Sequence, residues 1–264
     1  MTIAEVVDGK DLVITVHTEC KINYKVIDIQ QSVYSMEASY GTISFKMGMM
    51  NKEKEFSSET DDPTDVFSLV LKEMINKPFL VKMTALGKIT EVKNVDSLFA
   101  NVFSKFPQLP EEQKQQMFTQ LNQSYGEKAV ASNLQLCTAV FPESSISKGD
   151  SWLIKSTLES SMSMNIETTF QLKETGDSYY ILSGKGLVKN VGNNTYVKSG
   201  GTWLKYNMTG RTTSRIKIDK KTGWVLAGKL VIDVSGTAHV KESADLPDGM
   251  DVPIKVTSET IYKN

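Results

Sequence analysis

The amino-acid sequence predicts an α+β fold in which one long, curved antiparallel β-meander packs on a few helices. Two patterns carry that prediction. Apolar residues hold one parity through Leu204, Tyr206, Met208, Thr212, Ile216 and Ile218, and resume it through Trp224, Leu226, Leu230, Ile232 and Val234. About fifteen residues of such alternation make roughly 50 Å of strand, several times the usual length. Helical periodicity, in contrast, is confined to the stretch between Pro63 and Cys137. Long one-sided strands joined by short turns form a meander with one wet face, and sheets of that length must twist and coil. The helices are the expected cover for its apolar face.

Each element follows from its local pattern. Between Asp11 and Met50 the period is mostly two: Ile22, Tyr24 and Val26 alternate, and the parity shifts by one at Ile27 and Ile29, as a bulge would shift it. Ile43, Phe45, Met47 and Met49 alternate after a turn at Gly41, so three or four antiparallel strands are expected. The polar stretch 52–62 reads as a surface loop. Pro63 at a first helical position, capped by Asp61 or Asp62 with Asp65 in the first turn, opens a helix. Its stripe is Val66, Phe67, Val70, Leu71 and Met74, and it stops before Pro78. A hairpin through Gly87 joins 79–85 to 88–92. Asp96 caps a helix over 97–106, Pro110-Glu111-Glu112 opens another with acids at its positive end, and a break near Gly126 leads to a third.

From Gly149 onward the chain is nearly all strand. Met162, Met164, Ile166, Thr168, Phe170 and Leu172 alternate strictly, Thr175-Gly176-Asp177 and Asp219-Lys220-Lys221-Thr222-Gly223 turn, and Val252, Ile254, Val256 and Tyr262 close the pattern. The expected organisation is a single domain over 1–264, open to subdivision into strands plus helices (1–140) and a β-meander (141–264).

Composition narrows the class. At 264 residues, 40% hydrophobic and 23% charged, the sequence is not disordered, collagenous or a disulfide mini-scaffold. No apolar run approaches the ~18 residues of a spanning helix. A formal net charge of −1 argues against a nucleic-acid partner. The first residues carry no basic segment followed by an apolar one and do not read as a signal peptide. A cytosolic protein and one whose leader has been removed both fit that start.

Candidate chemistry is sparse. Cys20 and Cys137 form no CxxC motif; both fall at apolar positions and are expected to be buried free thiols. His17 and His239 lie on polar strand parity without metal-ligand spacing, so solvent-facing strand histidines are expected. No G-x-S-x-G elbow is present. Ser183-Gly184-Lys185-Gly186 and Ser199-Gly200-Gly201 lack the helix N-terminus that a phosphate loop needs, and mark turns or bulges instead. Asp245, Asp248, Gly249 and Asp251 depart from EF-hand spacing and read as a hairpin turn. Carboxylates such as Glu159 and Glu167 could pair as a glycosidase needs, but a sequence gives no distance between them. No catalytic residue, metal ligand or cofactor is therefore expected.

Two surfaces stand out as candidate binding features. The apolar faces are rich in methionine, and Met47, Met49, Met162, Met164 and Met208 would suit a lipid-like ligand between sheet and helices; ordinary core packing explains them as well. Between Ile181 and Ile232 ten basic residues face one acid, Asp219. Of these, Lys205, Arg211, Arg215, Lys217 and Lys229 share the odd parity and project from one sheet surface, where an anionic membrane surface or acidic partner could meet them. A solvated face, with acids such as Glu159, Glu167 or Glu242 supplied by neighbouring strands, accounts for the same pattern.

Lys148-Gly149-Asp150-Ser151-Trp152, after Phe141-Pro142, and Ile218-Asp219-Lys220-Lys221-Thr222-Gly223-Trp224 resemble an uncharacterised family of bacterial secreted proteins and lipoproteins, chiefly from Bacteroidetes-type organisms. The resemblance implies an envelope or secreted location behind a leader, often with a lipid-modified cysteine, and no catalytic residues. This sequence shows no such lipid-accepting motif. The expected function is a non-enzymatic cell-envelope protein that binds an apolar or lipid-like ligand. The rivals are a carbohydrate-active enzyme whose carboxylates do not show in sequence, and a structural subunit of a surface complex.

Overall fold

The computed structural model of the chain describes every residue except 8–9, 50–51, 159–162, 191–195, 200–201 and 244–245. In chain order its elements are β1 (Thr2–Val7), β2 (Lys10–Gln30), β3 (Val33–Met49), β4 (Lys52–Ser57), α1 (Val66–Met74), β5 (Pro78–Thr84), β6 (Ile89–Lys93), α2 (Val95–Phe103), α3 (Glu111–Tyr125) and α4 (Glu127–Thr138). The second half continues with β7 (Ser151–Leu158), β8 (Met164–Thr175), β9 (Tyr179–Asn190), β10 (Val197–Ser199), β11 (Thr202–Asp219), β12 (Val225–Val240) and β13 (Met250–Lys263). The fold is α+β, with a curved antiparallel meander as its largest part. The chain divides into a helical unit, Thr15–Gln135, and a meander unit, Met1–Ile14 with Leu136–Asn264.

In the helical unit the strands run β6-β5-β3-β2, with β4 also on β3. Met36, Ala38 and Tyr40 of β3 and Phe79 and Val81 of β5 are buried with Val70, Leu71 and Met74 of α1 and Phe99 of α2. The buried parity of β3 changes across Gly41-Thr42, from even residues to Ile43. Tyr40 donates its hydroxyl to the Tyr125 carbonyl at 3.0 Å, so the one polar atom of a buried ring is satisfied.

In the meander unit the strands run β1-β13-β12-β11-β9-β8-β7, all antiparallel, with β10 on β11. Inner, even-numbered residues form two clusters. One joins Met164, Ile166, Val188, Met208, Ile232 and Ile254 to Leu136 of α4; the other joins Phe170, Leu182, Ile216 and Ile218 to Val140, Phe141 and Trp152. The sheet coils because its inner face lacks side chains along a diagonal: Gly184 and Gly186 on β9, Gly210 on β11, Gly236 on β12. A Cβ on Gly210 would overlap the Asp233 carbonyl oxygen, and one on Gly236 the Asn207 carbonyl oxygen. Glycine there lets neighbouring backbones close on one another as a bending sheet requires.

Several expectations need correction. The turn after the second strand is at Gln31-Ser32, with φ of 48° and 63°, and Gly41 sits inside β3. Two positive φ values suit a two-residue hairpin loop that follows the twist of its strands, but they are usually signalled by Asn or Gly. The three or four strands expected from Asp11 to Met50 are two long ones. The expected loop 52–62 begins as a strand, β4, whose residues pair with β3: Lys46 Nζ lies 2.8 Å from Glu53 Oε2, and Phe45 stacks on Phe56. The first helix starts at Val66, not Pro63, because Asp65 is its cap, accepting from the Ser68 amide and hydroxyl, while Asp62 caps a turn at Thr64. The second helix starts at Val95 after Asn94, whose φ is 75° and whose side chain makes no capping bond, so Asp96 lies in the first turn. Within the helical unit α1 to α3 pack on the strands, and within the meander unit the inner face meets the chain from Leu136, at the end of α4, to Ile146. Cys20 is exposed on β2 and Cys137 is buried, and both are free thiols. Burial pushes the Cys137 thiol up to about 12. Trp224, read as inward, is exposed at the strand start.

Candidate functional site

The register turns the sequence pattern into a map of the meander's outer face. Arg211 of β11 stands opposite Leu187 of β9 and Asp233 of β12, and Arg215 stands opposite Ser183 and Lys229. Thr213, between the two arginines, is opposite Lys185, and Thr209 is opposite Lys189. Two neighbouring strands thus carry an exposed quartet, Lys185, Lys189, Arg211 and Arg215. Arginines four residues apart on one strand are roughly 13 Å apart. Among the described residues none of the four has a carboxylate within ion-pair distance.

The other basic residues of the odd parity are engaged. Lys229 Nζ lies 2.8 Å from Glu259 Oε2. Lys217 Nζ sits 4.3 Å from the centre of the Tyr179 ring, whose hydroxyl donates to Glu174 Oε1 at 2.7 Å; that bond to the carboxylate raises the tyrosine's pKa. Lys205 is half-buried with its Nζ 5.5 Å from the Tyr196 ring centre, and Lys241 is equally close to the same ring. Of the five cations singled out in sequence, Arg211 and Arg215 are the two that are exposed without an ion pair or ring contact among the described residues, and β9 adds the two lysines that parity along β11 could not show. Glu167, named as a neutralising acid, is taken by Lys155 at 2.9 Å.

Beside the quartet lies a cavity of about 300 Å³, lined by Asn165 and Glu167 of β8, Leu187, Lys189 and Asn190 of β9, and Asn207, Met208 and Thr209 of β11. It forms where backbone pairing of β9 with β11 ends at Lys189–Thr209. The Asn190 side chain takes over: its amide donates to the Tyr206 carbonyl at 2.7 Å, and its oxygen accepts from the Met208 amide at 2.7 Å. Leu187 is 57% exposed on this polar face.

At the far end of the same face, Lys205, His239 and Asp251 stand in one row. His239 Nδ1 is 2.7 Å from Asp251 Oδ1, and the Tyr196 ring is 6.2 Å from the imidazole. His239 was expected as a plain solvent-facing residue. Twelve residues separate it from Asp251 in sequence, and only the register of β12 with β13 brings them together. His17 makes a short-range contact with Glu19 at 3.0 Å, both exposed. Among the described residues no group of three or more His, Cys, Asp or Glu could hold a metal ion, and no helix is long and apolar enough to cross a membrane.

The methionines divide between the two units. Met164 and Met208 share one core cluster with Ile166, Val188 and their neighbours, and Met208 also borders the cavity. Met47 and Met49 are 41% and 44% exposed on β3 in the helical unit. Met162 lies outside the described residues, as do Glu159, Gly200, Gly201 and Asp245. The motifs Lys148–Trp152 and Ile218–Trp224 prove to be strand-entry turns. Gly149 and Gly223 have φ of 99° and 77°, and Asp219 accepts from the Thr222 amide and hydroxyl, bonds that hold its carboxyl below the usual range. Trp152 donates its indole N–H to the Val140 carbonyl at 2.9 Å.

What the fold and face define is a coiled antiparallel meander with a packed inner side and a charged outer side. The chain belongs to DUF6263, a family of unknown function, whose model matches residues 31–225. The matched span includes both turn motifs and all four members of the basic quartet; His239 and Asp251 fall beyond it. No curated protein and no solved structure matches the chain significantly.

Proposed function

We propose that the protein is a non-enzymatic binding module of the cell envelope that takes an anionic ligand on the outer face of its meander. The observation that carries this reading is the quartet Lys185, Lys189, Arg211 and Arg215: four exposed cations on two adjacent strands, without ion-pair partners among the described residues. Asp233 stands opposite Arg211 without closing to an ion pair, so one acid answers part of the charge; the remaining repulsion among the four cations is what an anion relieves while gaining its own attraction. The apolar-ligand reading draws less support, because Met164 and Met208 are buried among core neighbours and Met47 and Met49 lie on another strand set. The envelope location rests on the resemblance of the two turn motifs, and fractionation of the native host checks it: recovery in the cytosol alone would remove it.

The binding test is retention on a sulfated-dextran resin and on vesicles rich in phosphatidylglycerol. Each basic residue near an anionic surface contributes about 1 kcal/mol. The double substitution Arg211→Glu/Arg215→Glu should therefore weaken binding more than tenfold at physiological salt with the melting temperature unchanged. About half-molar salt should release the wild type, since exposed charges are screened. No retention, or equal retention by the variant, overturns the reading.

A further inference from the structure

The cavity beside the quartet has a chemistry that a bare anion would not use. Its lining includes Leu187, an apolar side chain exposed in the middle of a polar face, between Glu167 and Arg211 in the same row. Around it stand groups suited to hydroxyls. Asn165 accepts from the Thr157 hydroxyl through its oxygen at 3.1 Å, which leaves its two N–H donors for other partners. Asn207 and Thr209 line the cavity from β11 and Glu167 from β8, with one carboxylate oxygen of Glu167 paired to Lys155 and the other left to accept. Asn190, held by its two bonds to β11, fixes that wall in place. Lys189 lines the cavity, and Arg211 stands next to Leu187 at its edge.

We infer that this cavity binds one unit of an acidic saccharide, with Leu187 under the C–H face of the ring, Asn165, Asn207, Thr209 and Glu167 on its hydroxyls, and Lys189 with Arg211 on its carboxylate. The inference rests on the anionic-ligand reading and narrows it. Inorganic phosphate or a lipid phosphate group has no apolar face to set against an exposed leucine and no belt of hydroxyls for the asparagines. A pyranose ring has both an apolar face and a belt of hydroxyls, so Leu187 and the polar groups around it all have a counterpart. At about 300 Å³ the cavity matches the lower end of small-ligand sites, one ring rather than a long chain segment. Further units of the chain would run over Arg211, Lys185 and Arg215.

The test uses the full chain with oligogalacturonate, a neutral galactose oligomer of equal length, and inorganic phosphate, all at one ionic strength. Calorimetry should give at least tenfold tighter binding for oligogalacturonate than for either control. Amide NMR shifts should centre on residues 165, 187, 207 and 209. Leu187→Ser, at an exposed position and without change of charge, should weaken oligogalacturonate about fivefold while leaving retention on phosphatidylglycerol vesicles as it was. Asn207→Ala should weaken it likewise, which guards against one variant being misfolded. Oligogalacturonate binding no tighter than phosphate, or unchanged in both variants, overturns the saccharide assignment. In that case vesicle retention that still collapses in Arg211→Glu/Arg215→Glu leaves the anionic-ligand reading standing; if it does not collapse, that reading falls separately.

Discussion

The helical unit and the meander unit begin with the same material, amphipathic strands with one apolar face, and seal that face by different means. Over Thr15–Gln135 the seal is helical: Val70, Leu71 and Met74 of α1 and Phe99 of α2 lie fully buried over Phe79 and Val81 of β5. In the meander unit the sheet bends on a diagonal of glycines and its inner side chains pack on one another and on the chain from Leu136 to Ile146. A helix-covered face is held by side-chain volume at the facing positions. A coiled face is held equally by the absence of side chains at the crease. The two units should therefore fail to opposite kinds of substitution, enlargement in one and truncation in the other.

Truncation of the helical cover is the largest effect expected. Phe99→Ala removes a fully buried ring in T-shaped contact with Phe118, and should cost about 3–5 kcal/mol. Far-UV dichroism in urea reads it, because most helical residues are in that unit. A loss below about 1 kcal/mol would mean that helix packing is not what seals this face.

Enlargement at the crease comes next. Gly236→Ala drives a methyl group into the Asn207 carbonyl oxygen and should cost about 1–3 kcal/mol, with Gly228→Ala on the same strand as its control. At Gly228 the nearest atom to an added Cβ is 3.5 Å away, in the Tyr262 ring. Trp152, Trp203 and Trp224 all belong to the meander unit, so indole fluorescence follows this transition directly. Equal costs for the two substitutions would refute the crease.

The smallest effect belongs to the outer face. Lys155→Ala breaks the exposed pair with Glu167 and should change stability by no more than about 0.5 kcal/mol. A larger loss would mean that charges on this face hold the sheet together, leaving less freedom for them to meet a ligand.

How much of this was legible in sequence follows the same division. The meander's inside and outside could be read directly, since a strand's period of two survives any curvature: Met208, Thr212, Ile216 and Ile218 are inward, Arg211 and Arg215 outward. The strands next to the helices were harder. Gln31-Ser32 carries no turn signature although its backbone is a tight turn, and Lys52–Ser57 looks like a loop because a strand paired through alternating charges has no apolar stripe. The site was half-visible. Its cations lie along two strands and could be counted, but their juxtaposition depends on register, as does the meeting of His239 with Asp251. Register across a hairpin is set by the turn's length and geometry, which residue types alone do not fix. Exposed Leu187 was missed because one apolar residue out of phase carries no pattern.

Asn190 has a consequence for how the sheet is finished beside the cavity. Backbone pairing of β9 with β11 stops at Lys189–Thr209, and a strand margin is the kind of place where another molecule's extended segment joins when β-proteins clump. One carboxamide, presenting a donor and an acceptor like a short piece of backbone, occupies the Tyr206 carbonyl and the Met208 N–H from within. A single asparagine thus lets a side chain do the work of backbone at the spot where the cavity forms.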